Sequence, residues 1–182
     1  MRARLASGNA HKLEELLAAL PGWEVELLET ARPYPPEDGA TYAENARIKA
    51  VFGREQAPDA WVLGEDSGLE VDALGNRPGI ASARWAEDGV AQLLAELEGV
   101  GDRRARYVCE LVALGPGGEE LRGAGTLEGS IATGRRGDEG FGYDPIFVPA
   151  GEERTVAELG DAWKRSNSHR ARAAAALRAA LS

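Results

Sequence analysis

The chain has 182 residues, 43% hydrophobic and 28% charged, with a formal net charge of −9. That length supports one substantial core and is short for two, so a single domain over residues 1–182 is expected. No apolar stretch is long enough to span a membrane, and the acidic balance opposes broad nucleic-acid binding, which needs a basic face. The first residues run into a Gly-Asn turn without an apolar signal segment, which makes the cytoplasm the expected compartment. The one cysteine, Cys109, allows no internal disulfide and sits in a β-forming run, where it reads as a small buried hydrophobe.

In chain order, residues 2–6 predict a strand and Ser7-Gly8-Asn9 a turn into a helix whose Leu13, Leu16, Leu17 and Leu20 share one face. Pro21-Gly22 ends it. Residues 23–28 predict a second strand, 31–39 a proline-interrupted loop, and 41–56 a helix. Residues 61–74 read as extended, with the acidic pair Glu65-Asp66 followed by a Ser67-Gly68 turn signal. A helix over 88–97, a strand over 104–114, a turn at Pro116-Gly117-Gly118 and a strand over 120–133 follow. A Gly-rich loop precedes a short strand at 146–148, and a last helix covers 168–181. Strands mixed with helices and a hairpin imply an α/β, mixed α+β, sheet with flanking helices.

Four constellations carry chemistry. The first is Ser7-Gly8-Asn9-Ala10-His11-Lys12, where a strand turns into a helix; free backbone N–H groups and the Lys12 ammonium make an anion site, although a plain cap and a surface lysine satisfy the same pattern. The second is Glu44, which at about 100° per residue falls between Ile48 and Val51 on the apolar stripe of its helix, where a solvated charge does not belong. A helix-dipole role at the N-terminus is the alternative. The third is Glu65-Asp66 itself. Adjacent carboxylates repel and call for compensation, and hard oxygen ligands suit Mg²⁺, which commonly enters with a phosphate-bearing substrate. Glu70 and Asp72 alternate with Leu69, Val71 and Ala73 and read as a solvent face. The fourth comprises Phe141-Gly142-Tyr143-Asp144 and the basic run from Lys164 to His169-Arg170: an aromatic on a Gly loop stacks on planar rings, and donors at a helix start read ring carbonyls or phosphates. Core packing and a capped surface helix are the plainer readings of these two segments.

As a set, these residues closely resemble the inosine triphosphate pyrophosphatase (Ham1-like) family. The pieces occur in order from Ser7-Gly8-Asn9 with Lys12, through Thr41 with Glu44-Asn45-Ala46 and Lys49-Ala50, Glu65-Asp66-Ser67-Gly68-Leu69, Pro78-Gly79-Ile80 with Ser82-Ala83-Arg84, and Gly140-Phe141-Gly142-Tyr143-Asp144-Pro145, to Ser168-His169-Arg170. The resemblance implies hydrolysis of ITP, dITP and XTP to monophosphate and pyrophosphate, and a homodimer whose subunits each form two lobes around a nucleotide cleft. It assigns Asp66 as proton acceptor and Mg²⁺ ligand, Glu44 and Glu65 as further metal-site carboxylates, and Ser7 to Lys12 as the triphosphate turn. Lys12 is also expected to act in catalysis by neutralising charge on the leaving side. Ser67, Phe141, Gly142, Tyr143, Asp144, Lys164, His169 and Arg170 fall at substrate positions. Many members carry two aspartates at the acidic pair; here Glu65 stands first, and its extra methylene shifts it toward water-mediated contact. A Maf-like pyrophosphatase for other modified nucleotides, and a nucleotide sensor without turnover, are the competing readings.

Overall fold

The computed structural model describes residues 1–181. Its seven strands follow the hydrogen-bonded order β2-β1-β3-β5-β6-β7, with the short β4 (Arg77–Pro78) paired to β3. β1 (Arg2–Leu5) runs parallel to both β2 (Glu24–Leu27) and β3 (Trp61–Val71), whereas β4 is antiparallel to β3 and β7 (Phe147–Pro149) to β6 (Glu120–Ile131). The sheet is therefore mixed, as expected. The chain divides into two compact units, residues 1–66, 109–125 and 170–181 in one, and 67–108 and 126–169 in the other. β3, β5 (Arg104–Leu114) and β6 contribute to both.

In the first unit the sheet is covered on two faces, which explains why residues 62–66 of β3 are buried one after another rather than at alternate positions. On one face, α1 (Ala10–Ala19) and α5 (His169–Ala179) pack Leu16, Leu20, Ala173, Ala174 and Leu177 against Leu5, Leu63, Cys109 and Leu111. Complete burial of each of these leucines stabilises the fold by about 1.5–3 kcal/mol. On the other face, α2 (Tyr42–Gln56) sets Ala46 and Ala50 against Val112, and Phe52 against Ala6, Leu28 and Val62. The approach of α2 is very close at Gly64, where an added Cβ would lie 1.9 Å from the Ala46 carbonyl oxygen. Gly123 plays the same part for α5, with a Cβ meeting the Ala173 carbonyl oxygen at 2.2 Å.

The second unit surrounds another apolar cluster. α3 (Gly89–Glu96) contributes Val90 and Leu93, and its C-cap Leu97 joins them against Leu69, Val71, Tyr107, Ile131, Ile146 and Phe147. α4 (Val156–Asn167) adds Val156 and carries a break at Gly160, whose φ is 82° and ψ 174°.

Four sequence expectations change. Leu17 is 43% exposed, and α1 instead turns Lys12 and Glu15 inward with Leu16 and Leu20. The acidic pair does not end a strand, because β3 continues through Ser67-Gly68 to Val71. Glu70 is largely covered by Arg106, whose Nε lies 2.8 Å from Glu70 Oε2, while Asp72 stays exposed beside Arg104. α4 was not expected at all.

Candidate active site

Successive side chains on a strand point to opposite faces, so Glu65 and Asp66 cannot share one ligand on the same side of β3. Asp66 turns to the α2 face with Gly64, and Glu65 to the face covered by α1 and α5. Each carboxylate meets cations there.

On the α2 face, Lys49 Nζ donates to Asp66 Oδ1 at 3.1 Å and to Glu37 Oε1 at 2.7 Å. Asn45 Nδ2 donates to Asp66 Oδ2 at 3.1 Å, while Asn45 Oδ1 accepts the Gly39 N–H at 2.9 Å. The amide thus has one orientation that satisfies both neighbours. Asn45 and Lys49 lie one helical turn apart, alongside Ala46 and Ala50, so the small residues that let α2 reach Gly64 also deliver these two polar groups to Asp66. Burial pushes the Asp66 carboxyl above its usual range, with Glu37 adding to the effect, against the opposing pull of Lys49 and Asn45. Burial works against the Lys49 ammonium, yet Asp66 and Glu37 hold its pKa above the ordinary value.

On the opposite face Glu65 is 0% exposed. Lys12 Nζ lies 2.6 Å from its Oε2, and Arg170 Nε donates to Oε1 at 2.9 Å. Arg170 Nη1 also donates to Glu15 Oε2 at 2.7 Å, and the Cys109 thiol lies 3.6 Å from Glu65 Oε1. Burial alone would raise the Glu65 carboxyl, but Lys12 and Arg170 reverse this and hold it well below the carboxylate range. Burial and the nearby Glu65 charge push the Cys109 thiol up, which leaves it inert.

Glu65 is therefore held between Lys12 and Arg170, on the face of β3 opposite Asp66. Arg170, expected to touch substrate, is buried between Glu15 and Glu65. Lys12 remains 17% exposed and keeps an outlet toward solvent. Glu44 is exposed, and its carboxylate accepts the Ala40 N–H at 2.6 Å beside the Thr41 cap of α2. The inward face of α2 belongs to Asn45 and Lys49, and the second carboxylate near Asp66 comes from Glu37 in the proline-interrupted loop.

The turn before α1 forms as expected, with Asn9 as its cap. The Asn9 N–H donates to Ser7 Oγ at 3.1 Å, and Asn9 Oδ1 accepts from His11 N and Lys12 N at 3.0 and 3.4 Å. The Asn9, His11 and Lys12 N–H groups, expected to face an anion, are thus already bonded. Gly8, Ala10 and His11 are exposed at the tip.

The second unit gathers the other candidates. Asp144 is buried; its Oδ2 accepts from Lys164 Nζ at 2.8 Å and from Phe141 N at 2.9 Å, and its Oδ1 from the Tyr107 hydroxyl at 3.2 Å. Lys164 Nζ also sits 4.4 Å from the centre of the half-buried Phe141 ring, within cation–π range. His169 is buried and lies flat on Tyr107, centroids 4.6 Å apart at 10°. The Tyr143 hydroxyl donates to the Ser82 carbonyl at 3.1 Å, its pKa pushed up to about 12 by burial. Gly142, at φ 62°, shapes the loop, and Ser67 is half-buried on β3.

Among the described residues, no three His, Cys, Asp or Glu side chains converge as a metal cage. What does converge is Asp66 with Glu37, two hard-oxygen groups that already grip one cation, the Lys49 ammonium. One or two carboxylates are what Mg²⁺ takes from a protein when substrate phosphates and water complete its shell. The donor set fits such an ion.

The sequence matches the Ham1 family over residues 3–180. It is 42% identical over 186 aligned positions to a dITP/XTP pyrophosphatase of Bdellovibrio bacteriovorus, covering 95% of this chain and 94% of that one. A dITP/XTP pyrophosphatase of Symbiobacterium thermophilum is 45% identical over 182 positions, covering 96% and 91%. The structure superposes on the Ham1 protein of Staphylococcus aureus with a TM-score of 0.87 at 36% identity, over 100% of this chain and 98% of that one. Sequence match, relatives and architecture lead to one conclusion: the chain belongs to the Ham1 family.

Proposed function

We propose that this chain is a pyrophosphohydrolase that converts dITP, ITP and XTP to the nucleoside monophosphate and pyrophosphate. The observation that carries the mechanism is the buried Asp66 carboxylate, held at both oxygens by Lys49 and Asn45 and raised in proton affinity by its surroundings. Full-length relatives named dITP/XTP pyrophosphatase support the substrate class.

Asp66 is the proposed proton acceptor for a water that attacks the α-phosphorus. A carboxyl with elevated proton affinity suits that task better than a freely solvated one. Lys49 and Asn45 fix its two oxygens, so the base is oriented before substrate arrives. Lys12, steadied from behind by Glu65, places its positive charge beside the turn Ser7 to His11, where the partial positive end of α1 also favours phosphate oxygens. Family membership implies a divalent cation, and we propose Mg²⁺ held by Asp66 and Glu37; when bound, it supplies charge neutralisation for the triphosphate and the departing pyrophosphate. In the second unit, Phe141 offers a ring face to a purine, and Lys164 and His169 supply donors that favour a 6-oxo group over the amino group of adenine. Ser67 is proposed as a further substrate contact.

We also propose that residues 1–182 act as one ITPase-like domain, in a cytoplasmic homodimer that binds no nucleic acid. Among the described residues no helix is long and apolar enough to cross a membrane.

The test is purified protein with Mg²⁺ and ITP, XTP, dGTP or ATP, with pyrophosphate and phosphate measured separately. Pyrophosphate release from ITP and XTP, well ahead of dGTP and ATP, is the expected outcome. Phosphate as the product, or equal rates on all four, refutes the reading.

A further inference from the structure

Tyr107 carries no role in the chemistry so far, yet it touches His169 and the Asp144 carboxylate that holds Lys164 and the Phe141 N–H. It sits mid-strand in β5, buried, with its ring braced against Phe147 at a centroid distance of 4.5 Å. One face of the ring carries the His169 imidazole, nearly parallel at 10°. Its hydroxyl donates to Asp144 Oδ1, which leaves Oδ2 for Lys164 and for the Phe141 N–H. A single side chain on a rigid strand thus sets both the plane of His169 and the rotamer of Asp144. Through Asp144 it also sets the Lys164 ammonium that lies over Phe141.

We infer that Tyr107 is a positioning residue for purine recognition. Its hydroxyl orients the Asp144–Lys164–Phe141 group, and its ring orients His169. These are separable jobs. A carboxylate on the axis of a free χ2 rotor can present either oxygen to Lys164 or turn away, and the phenol removes that freedom. An imidazole at the junction of α4 and α5 can tilt, and a flat aromatic neighbour holds it in one plane. A site that discriminates by placed donors loses selectivity when the donors wander, even though none is removed. The inference deepens the proposed function and rests on it.

The chain has two histidines, exposed His11 and buried His169, so imidazole NMR gives a direct readout. In the wild type the His169 ring protons are expected upfield of those of His11, because they lie over the Tyr107 ring. Tyr107→Phe is expected to keep that shift and to raise the KM for ITP about fivefold, with kcat within about twofold, as expected for one misplaced hydrogen-bonded group. Tyr107→Leu is expected to move the His169 resonances downfield and to reduce the preference for ITP over ATP about tenfold. An unchanged His11 signal and native amide dispersion establish that each variant is folded. If Tyr107→Phe leaves KM unchanged, or Tyr107→Leu lowers the melting temperature while His169 and the substrate preference stay as in the wild type, Tyr107 is structural and the inference fails. A wild type that releases no pyrophosphate from ITP or XTP overturns the proposed function itself, and with it the inference; an active wild type with kinetically silent variants overturns the inference on Tyr107 alone.

Discussion

Glu65→Gln isolates the buried half of the acidic pair. The substitution keeps side-chain length and volume but removes the charge that faces Lys12 at 2.6 Å and Arg170 at 2.9 Å. It also places an amide NH2 where both neighbours are donors. Arg170 retains Glu15 at 2.7 Å, and Lys12 retains an exposed outlet, so neither cation is left without compensation. The expected loss is thus at the lower end of that for breaking a buried ion pair, about 3 kcal/mol at pH 7. For a domain of this size that is a drop of about 6–12 °C in melting temperature. The loss depends on pH in a defined direction. The folded protein holds this carboxyl well below the ordinary glutamate value, so its contribution is present above that value and disappears as pH falls through the folded-state pKa. Urea denaturation of wild type and variant, followed by circular dichroism between pH 7 and pH 3, should therefore show two stability curves that converge toward acid. A gap under about 1 kcal/mol at pH 7, within the range of a surface pair, would falsify the anchoring role. A gap that stays constant from pH 7 to pH 3 would show that the carboxylate charge is not its source.

Asp66→Asn should lower kcat on ITP by about a thousandfold, a typical contribution for a general base, while calorimetry still detects nucleotide binding; turnover near that of the wild type would remove Asp66 from the mechanism. Lys49→Met leaves Glu37 and Asp66 facing each other without their shared ammonium, so added Mg²⁺ should raise the melting temperature more in the variant than in the wild type, and an equal response would separate these carboxylates from the cation site. Gly64→Ala forces a Cβ to within 1.9 Å of the Ala46 carbonyl and should cost about 3 kcal/mol or more in urea denaturation. Gly101→Ala, with nothing within 4 Å of its Cβ, is the control, and comparable losses in the two variants would refute the close approach of α2.

Much of the sheet was legible because strand signals are local. The span Arg104–Leu114 follows from its β-branched and aromatic content, and the helix at 41–56 from its cap and length. α4 was missed because Gly160 interrupts its periodicity, although Thr155 and Glu158 form the capping box that marks its start. The unexpected orientations at the site have one physical cause. An apolar stripe predicts which helix face turns inward, but α1 and α2 bury Lys12, Asn45 and Lys49 because the sheet presents carboxylates to receive them, and Glu15 because Arg170 of α5 meets it. Small residues at 46 and 50 leave α2 with little apolar contrast, so Glu44 looked inward when Asn45 is. Glu37 lies in an irregular loop with no period at all, and only the tertiary fold brings it to Lys49. Asp66, Lys12 and the segment from Phe141 to Asp144 stand out in the sequence because their motifs are short and ordered along the chain.

The steric slot at Gly64 also acts during assembly of the sheet. Were β3 to pair one residue out of step, Leu63 or Glu65 would stand where Gly64 now faces α2, and a side chain would be driven into the helix backbone. The same slip would hand Asp66 to the α1 side and leave the shorter carboxylate to span the gap to Lys12 and Arg170. Misregistered chains thus meet a steric and an electrostatic penalty at adjacent positions, so Gly64 and the acidic pair beside it also proofread the pairing of the central strand.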